Sequence, residues 1–312
     1  MKGINDYFTF LSTSTEKGTI IDQESSVRPV NDPGYSIKSY PQLLNCIAAI
    51  KYQNPSFDIF FRGQNKDYPT NDNGLTSGLY PSIFRNAFNR PSGALTPPKI
   101  VQRRYEILNK AENILIDELS NPDLKFNAQM FKRFPILRWS ILQHYEICDT
   151  PLLDVAPVLD IALTFGSGQD QDSAYLYGIA LPRHTQIVSN SVLTETQSIN
   201  LAQICPPNFL RPHYQNGFLI GNYPSVMNYE VKIRGTYNFS NRLLVKFKIE
   251  NIGELTRTGF NKLLTELIMP DEQDQLIPIV KSIAEQIKAD RDELQENIYN
   301  PTQHLATNVI AA

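Results

Sequence analysis

Residues 57–63, Phe-Asp-Ile-Phe-Phe-Arg-Gly, contain the pattern that decides the fold. Side chains along a β-strand alternate between its two faces, so Phe57, Ile59 and Phe61 share one face. Asp58, Phe60 and Arg62 share the other face. We therefore predict a strand that stops at the following glycine and places a guanidinium at its end.

Helical patterns flank this strand on both sides. Before it, Ser39 can cap a helix in which Pro41 suits the first turn. The expected apolar stripe of that helix is Leu43, Leu44, Ile47 and Ile50. After the strand, helices are predicted over residues 99–119, 136–146 and 158–165, and the last helix carries the stripe Leu276, Ile279, Val280, Ile283 and Ile287.

Further strands are predicted over residues 175–181 and 242–250. In the second, Leu243, Val245, Phe247 and Ile249 alternate with the remaining positions. Strands mixed with helices favour an α+β fold, with a single mixed or antiparallel sheet as the core and helices at its flanks. We divide the chain into a polar N-terminal segment (1–36), an α+β domain (37–290) and a C-terminal helix end with a tail (291–312).

Composition excludes several functional classes. The 312 residues are 41% hydrophobic, enough for a large core, and the formal net charge of −3 argues against general nucleic-acid binding. Three widely spaced cysteines and four histidines lack metal-ligand spacing, so we predict no metal site. No apolar run reaches the roughly 18 residues of a membrane span. We expect a cytoplasmic protein without membrane contact.

Four short blocks follow one another along the chain. They are Phe61-Arg62-Gly63-Gln64; residues 79–85; Gln143-His144-Tyr145 with Leu152-Leu153-Asp154 and residues 157–165; and Arg211 with Gln215-Asn216-Gly217-Phe218. With residues 268–271 they cover roughly residues 45–290 and resemble the FRG domain family. Glu146 stands where that family usually has Gly, and Val155-Ala156 replaces its Trp-Thr, so the chain resembles a divergent member.

The layout is also similar to that of ADP-ribosyltransferase-like proteins. This second resemblance implies a split sheet and NAD as the ligand. It also implies that the early arginine, here Arg62 with Gly63 and Gln64 beside it, holds the NAD phosphates. The late block of those proteins carries a catalytic carboxylate, but this chain has Gln215 there. The nearest carboxylates in the sequence are Glu146 and Glu230.

The chemistry of Arg62 leaves two interpretations open. Its guanidinium can present a bidentate fork to a pyrophosphate or a carboxylate, and Gly63 would allow close approach of the ligand. Alternatively, Arg62 forms an internal ion pair with Asp154 or Asp58, because buried charges are usually paired.

The remaining candidates are His144, Tyr145, Asp154 and Gln215. His144 is suited to acid–base chemistry or to orienting a ribose, and Tyr145 to stacking on a nicotinamide or adenine ring. Asp154 is suited to capping a helix, to pairing with a cation or to acting as a base. Gln215 can position an amide or a hydroxyl. The structural alternatives are a helix-terminal histidine bonded to a carbonyl and a tyrosine packed in the core.

Two functions follow from these features. The first is an NAD-dependent ADP-ribosyltransferase-like effector, a toxin or a phage-defence component, that modifies a protein acceptor. The alternative is a non-catalytic nucleotide-sensing or protein-interaction module of a bacterial defence system. Both place a ligand at Arg62, which is NAD in the first function and a nucleotide or a partner peptide in the second, and only the first requires turnover.

Overall fold

Strands and helices are intermixed along the chain. The computed structural model describes residues 9–11, 20–21, 29–68, 77–85, 96–121, 124, 128–168, 172–183, 187–192, 194–222, 238–270 and 272–299. Within these ranges the strands are β1 (Phe10–Leu11), β2 (Ile20–Ile21), β3 (Tyr35–Ile37), β4 (Phe57–Gln64), β5 (Leu153–Val155), β6 (Ala174–Pro182), β7 (Val188–Ser191), β8 (Thr196–Asn200), β9 (Phe218–Asn222) and β10 (Leu243–Ile249). The helices are α1 (Tyr40–Gln53), α2 (Pro98–Leu119), α3 (Gln129–Arg133), α4 (Pro135–His144), α5 (Leu159–Ser167), α6 (Leu201–Ile204), α7 (Leu210–Tyr214), α8 (Ile252–Arg257), α9 (Thr265–Ile268), α10 (Ile277–Gln286) and α11 (Lys288–Tyr299).

Two four-stranded sheets form the core, in the strand orders β3-β10-β6-β4 and β5-β9-β8-β7. In the first sheet β3 runs parallel to β10, while the other neighbours are antiparallel. The second sheet is antiparallel throughout. The sheets meet where Phe61 and Ala156 exchange two backbone hydrogen bonds of 2.7 and 2.8 Å. The end of β4 therefore lies beside the end of β5.

The two faces of β4 pack in different directions. Ile59 and Phe61 face a cluster that includes side chains of α1, α5 and α8, whereas Phe60 faces the second sheet. The ring of Phe60 lies 4.8 Å from that of Phe218. Arg62 shares the face of Phe60 by strand alternation. A third apolar cluster, built mainly on α2, α4 and α10, supports the other side of the second sheet.

The predicted α+β core with flanking helices is confirmed, and its strands form two sheets where one was expected. Ser39 caps α1, since its Oγ accepts a hydrogen bond from the backbone N–H of Gln42 at 3.4 Å. Two stripe positions differ from the prediction. Leu44 is 43% exposed. A bulge between Leu243 and Val245 turns Leu243 toward the second sheet, away from the cluster that holds the rest of its predicted face.

The predicted segment boundaries cross elements of the structure. β3 begins inside the segment 1–36 and pairs with β10 in the first sheet. α11 spans residue 290, and Asp290 binds Arg103 and Lys110 of α2 at 2.8 Å each. Residues 300–312 of the predicted tail lie outside the described residues. None of the described helices combines the length and apolar character needed to span a bilayer.

Candidate functional site

Arg62 meets β5 at the junction of the two sheets. Its Nη1 donates a hydrogen bond of 2.7 Å to the main-chain carbonyl of Asp154, 92 residues further along the chain. Its Nε is buried and has no hydrogen-bond partner among the described residues. The described part of the chain contains no ion pair of Arg62, so the alternative in which Arg62 pairs with the carboxylate of Asp154 or Asp58 is not formed there. Among the described residues, the guanidinium keeps an unused donor.

The charge of Arg62 is poorly solvated. Loss of water lowers the pKa of its guanidinium to about 10, and the neighbouring charge of Arg85 acts in the same direction. Asp154, Tyr177 and Glu146 oppose this effect. Arg62 therefore stays protonated at neutral pH, but its surroundings compensate its charge incompletely. An anion placed beside it would be stabilised.

The carboxylate of Asp154 is occupied by the third sequence block. Its Oδ2 accepts a hydrogen bond from Gln143 Nε2 at 2.8 Å, and its Oδ1 lies 3.3 Å from His144 Nδ1. Burial alone would raise the pKa of Asp154, but the hydrogen bond and charge of His144, together with Arg62 and Gln143, hold it below its ordinary value. Asp154 is ionised at neutral pH and is better suited to orient His144 than to accept a proton.

His144 ends α4, as predicted, and is buried against the late block. A Cβ added to Gly217 would lie 2.6 Å from His144 Cε1, so only glycine leaves room for the ring. The Nε2 atom of His144 is buried and has no hydrogen-bond partner among the described residues. If Nδ1 carries the proton toward Asp154, Nε2 is the nitrogen left to accept one.

The second block is joined to the third by hydrogen bonds. The Thr150 N–H donates to Ser82 Oγ at 3.0 Å, and the hydroxyls of both residues donate to Gln143 Oε1. Gln143 in turn binds Asp154. A continuous hydrogen-bonded path therefore runs from the turn of residues 82–84 to the Arg62 junction.

Tyr145 and Gln215 are buried, each with 6% of its surface exposed. The Tyr145 hydroxyl donates to Asp274 Oδ2 at 2.6 Å, and burial together with that carboxylate raises the pKa of Tyr145 far above its ordinary value. The Arg211 guanidinium lies over the tyrosine ring, 4.8 Å from its centroid. Gln215 Nε2 donates to the carbonyl of Ile268 at 2.7 Å. Both side chains tie helices together instead of facing solvent.

Position 63 must be glycine because the backbone of α5 packs directly against it. A Cβ at this position would lie 1.8 Å from the carbonyl oxygen of Ala162 and 2.7 Å from the backbone nitrogen of Gly166, both in α5. The close approach that we predicted for a ligand is thus made by the helix. Gln64 follows at the strand end, and its buried Oε1 has no partner among the described residues.

A buried polar network that was not predicted lies beside Arg62. Lys246 Nζ binds Asp67 Oδ2 at 2.9 Å and Ser77 Oγ at 2.8 Å, and the Tyr177 hydroxyl donates to Asp67 Oδ1 at 2.8 Å. Tyr177 stands opposite Lys246 on one side and Arg62 on the other, so the three form a row across the first sheet. The sequence offered no signal for this, because Lys246 alternates with apolar residues like an ordinary exposed position.

Of the two alternative carboxylates, Glu146 lies near the site. It lies two residues after the end of α4 in a left-handed conformation with φ 57°, it is exposed, and its charge acts on Arg62. Glu230 lies outside the described residues. Within the described ranges, no group of three or more His, Cys, Asp or Glu side chains is arranged to hold a metal ion.

Comparisons with protein-family models, with curated proteins and with solved structures found no match to this chain. The resemblance of the four blocks to the FRG domain family stays a prediction. The geometry of the site is the basis on which a function can be inferred.

Proposed function

We propose that this chain is an NAD-dependent, ADP-ribosyltransferase-like effector that acts in the bacterial cytoplasm, as a toxin or as a phage-defence component, with Arg62 binding the pyrophosphate of NAD. The observation that carries the proposal is the state of the Arg62 guanidinium. It is poorly solvated, it donates to a main-chain carbonyl, and its Nε has no partner among the described residues. A phosphate would supply both the missing acceptor and the counter-charge.

The chemistry of the proposal needs a carboxylate near the ribose. In ADP-ribosyl transfer the bond from ribose C1′ to nicotinamide breaks, and nicotinamide leaves with the bonding electrons. The acceptor then bonds to C1′ and loses its proton. Positive charge develops on the ribose, so a fixed negative charge lowers the barrier. We assign this role to Glu146, which is exposed at the end of α4 and acts electrostatically on Arg62.

The other predicted site residues orient, exchange protons or support the site. Asp154, held ionised, orients His144 through Nδ1. His144 is the acid–base group in this proposal, with Nε2 as its proton acceptor. Tyr145 and Gln215 hold α4 and α7 in place through their internal hydrogen bonds. The protein acceptor and the defence partner belong to the proposal as classes only.

The proposal is tested by measuring NAD binding and nicotinamide release separately. Losing one charge-assisted hydrogen bond costs about 1.5–3 kcal/mol, so Arg62→Gln should weaken NAD binding by roughly 10- to 100-fold. Glu146→Gln should bind NAD normally and release nicotinamide slowly. Arg257→Gln, a change at an exposed residue of α8, is the control. Wild-type protein that does not bind NAD would rule the proposal out, as would normal binding by the Arg62 variant.

The alternative function is a non-catalytic nucleotide-sensing or protein-interaction module. The engagement of Tyr145 and Gln215 in interior hydrogen bonds favours it, because neither side chain is presented to a ligand. The same assay distinguishes the two functions. NAD binding that depends on Arg62, without nicotinamide release or transfer of labelled ADP-ribose to extract proteins, would identify the module.

A further inference from the structure

Arg85 ends the turn of residues 82–84, and its backbone is held firmly. The buried Arg104 donates from Nη1 to the carbonyls of Ser82, Ile83 and Arg85 at 3.2, 2.9 and 2.8 Å. Arg104 Nε lies 3.1 Å from the Asp149 carboxylate. The Nη1 of Arg104 thus fixes the main chain that carries Arg85, while its Nε pairs with Asp149.

The side chain of Arg85 has no direct anionic partner among the described residues. It is exposed, and its Nε donates to the carbonyl of Tyr80 at 2.9 Å. No carboxylate of the described chain lies within ion-pair distance of it. The surrounding protein removes water from the guanidinium and lowers the pKa of Arg85, while the more distant charges of Asp149 and Asp154 act against this effect.

Arg85 and Arg62 are neighbours in the site. The charge of Arg85 acts on Arg62, and the charge of Asp154 acts on both arginines. Hydrogen bonds through Asp154 and Gln143 join Arg62 to Ser82, and the carbonyls of Ser82 and Arg85 both accept hydrogen bonds from Arg104 Nη1. Two guanidiniums held close together repel each other unless an anion lies nearby. Two separate cations can each bind one charged group of an anion that has two linked charged groups.

Tyr68 adds an aromatic surface at the same place. It is 46% exposed, and its carbonyl accepts a hydrogen bond of 2.8 Å from the Gly78 N–H. Its hydroxyl acts electrostatically on Arg85, and Lys66 Nζ lies 5.2 Å from its ring centroid. Exposed aromatic rings beside cationic side chains bind nucleobases by stacking.

We propose that Arg85 binds the second phosphate of a nucleoside diphosphate group whose first phosphate is held by Arg62 and whose base stacks on Tyr68. This inference rests on the proposed function, since it requires Arg62 to hold a phosphate. The site would then recognise either the ADP half of NAD or the corresponding nicotinamide half. The second block, residues 79–85, would take part in ligand binding.

The test is calorimetric titration of the wild type, Arg85→Gln, Tyr68→Leu and Arg62→Gln with inorganic phosphate, pyrophosphate, ADP and NAD. Arg85→Gln should weaken binding of pyrophosphate, ADP and NAD by roughly 10- to 100-fold, as expected for one charge-assisted hydrogen bond, and change phosphate binding by less than about threefold. Tyr68→Leu should weaken ADP binding by about tenfold and leave pyrophosphate binding unchanged. Arg257→Gln is the control, and thermal melting of each variant verifies folding.

The outcomes separate the inference from the proposed function. If Arg85→Gln binds pyrophosphate as the wild type does while Arg62→Gln loses NAD binding, the inference is wrong and the proposed function stands. Wild-type protein that binds phosphate as tightly as pyrophosphate also overturns the inference, and unchanged ADP binding by Tyr68→Leu overturns its stacking part. If the wild type binds none of the four ligands, both fail.

Discussion

Replacing Gly63 by alanine tests whether the contact between β4 and α5 positions Arg62. The added Cβ would lie 1.8 Å from the carbonyl oxygen of Ala162, whereas ordinary van der Waals contacts are 3.4–4 Å. The atoms it meets belong to the backbone of α5, so no side-chain rotation can relieve the overlap. β4 and α5 must separate by about 1.5 Å, which disrupts close packing along both elements.

The expected cost follows from that displacement. Overpacking a core usually costs about 1–3 kcal/mol, and a clash between two backbones belongs at or above the upper end of that range. We expect Gly63→Ala to lower the free energy of unfolding by at least about 3 kcal/mol. Because Arg62 is the adjacent residue, any folded population should also bind NAD more weakly.

Two other glycines provide matched controls. In Gly178→Ala the new Cβ would lie 2.8 Å from a methyl group of the Val245 side chain, which can shift, so a loss of about 1 kcal/mol is expected. Gly253 lies in α8, where its nearest neighbour is Asn251 Oδ1 at 3.2 Å. Alanine is favoured over glycine in helices by up to about 1 kcal/mol, so Gly253→Ala should be neutral or slightly stabilising.

Urea unfolding followed by tryptophan fluorescence measures all three variants. Trp139 is the single tryptophan and is 3% exposed, so its emission reports loss of the core. If Gly63→Ala is as stable as Gly253→Ala within about 0.5 kcal/mol, the reasoning is refuted, because β4 and α5 would then tolerate a backbone overlap of this size.

Three further changes are measured in the same way. Lys246→Met leaves the Asp67 carboxylate without its buried counter-charge and should cost about 3–5 kcal/mol. Lys248→Met, at a partly exposed residue paired with Glu250, should cost less than about 1 kcal/mol, and equal losses would contradict this. Because the folded-state pKa of Asp154 lies below its unfolded value of about 3.9, its contribution to stability is present above that pH and is lost as the pH falls through the folded pKa. Asp154→Asn should therefore make the free energy of unfolding less dependent on pH in the acid range. An unchanged pH dependence would contradict the lowered pKa of Asp154. Asp274→Asn alters the acceptor of three hydrogen bonds and should cost about 2 kcal/mol; a variant as stable as the wild type would contradict its bridging role.

Long regular elements were predictable because their patterns are local. The helix predicted over residues 99–119 is α2, and the strand predicted over 175–181 is β6 with one residue more at each end. The short strands of the second sheet were not predicted. β8, with the sequence Thr-Gln-Ser-Ile-Asn, has too few apolar residues to produce a recognisable alternation.

The candidate site was predictable as a group of residues but not as a set of contacts. Arg62, Asp154 and His144 were identified from two separated blocks, and the structure brings these three together. The partner atoms differ from those expected. Arg62 binds the main-chain carbonyl of Asp154, and the carboxylate of Asp154 contacts Gln143 and His144. A sequence pattern can indicate which residues lie near a charge, but it does not determine which of their oxygen atoms faces that charge.

The sequence by itself determined the α+β class, the strand that contains Arg62 and the cap of α1. Tertiary structure alone decided that Lys246 is buried against Asp67 and Ser77, that α5 and not a ligand contacts Gly63, and that Tyr145 and Gln215 are held in internal hydrogen bonds. The physical reason is that periodicity is a local property of the sequence, whereas packing depends on contacts between distant segments. Periodicity shows which face of an element is apolar, whereas the segment that covers that face is brought there by contacts such as that between Arg62 and Asp154, 92 residues apart.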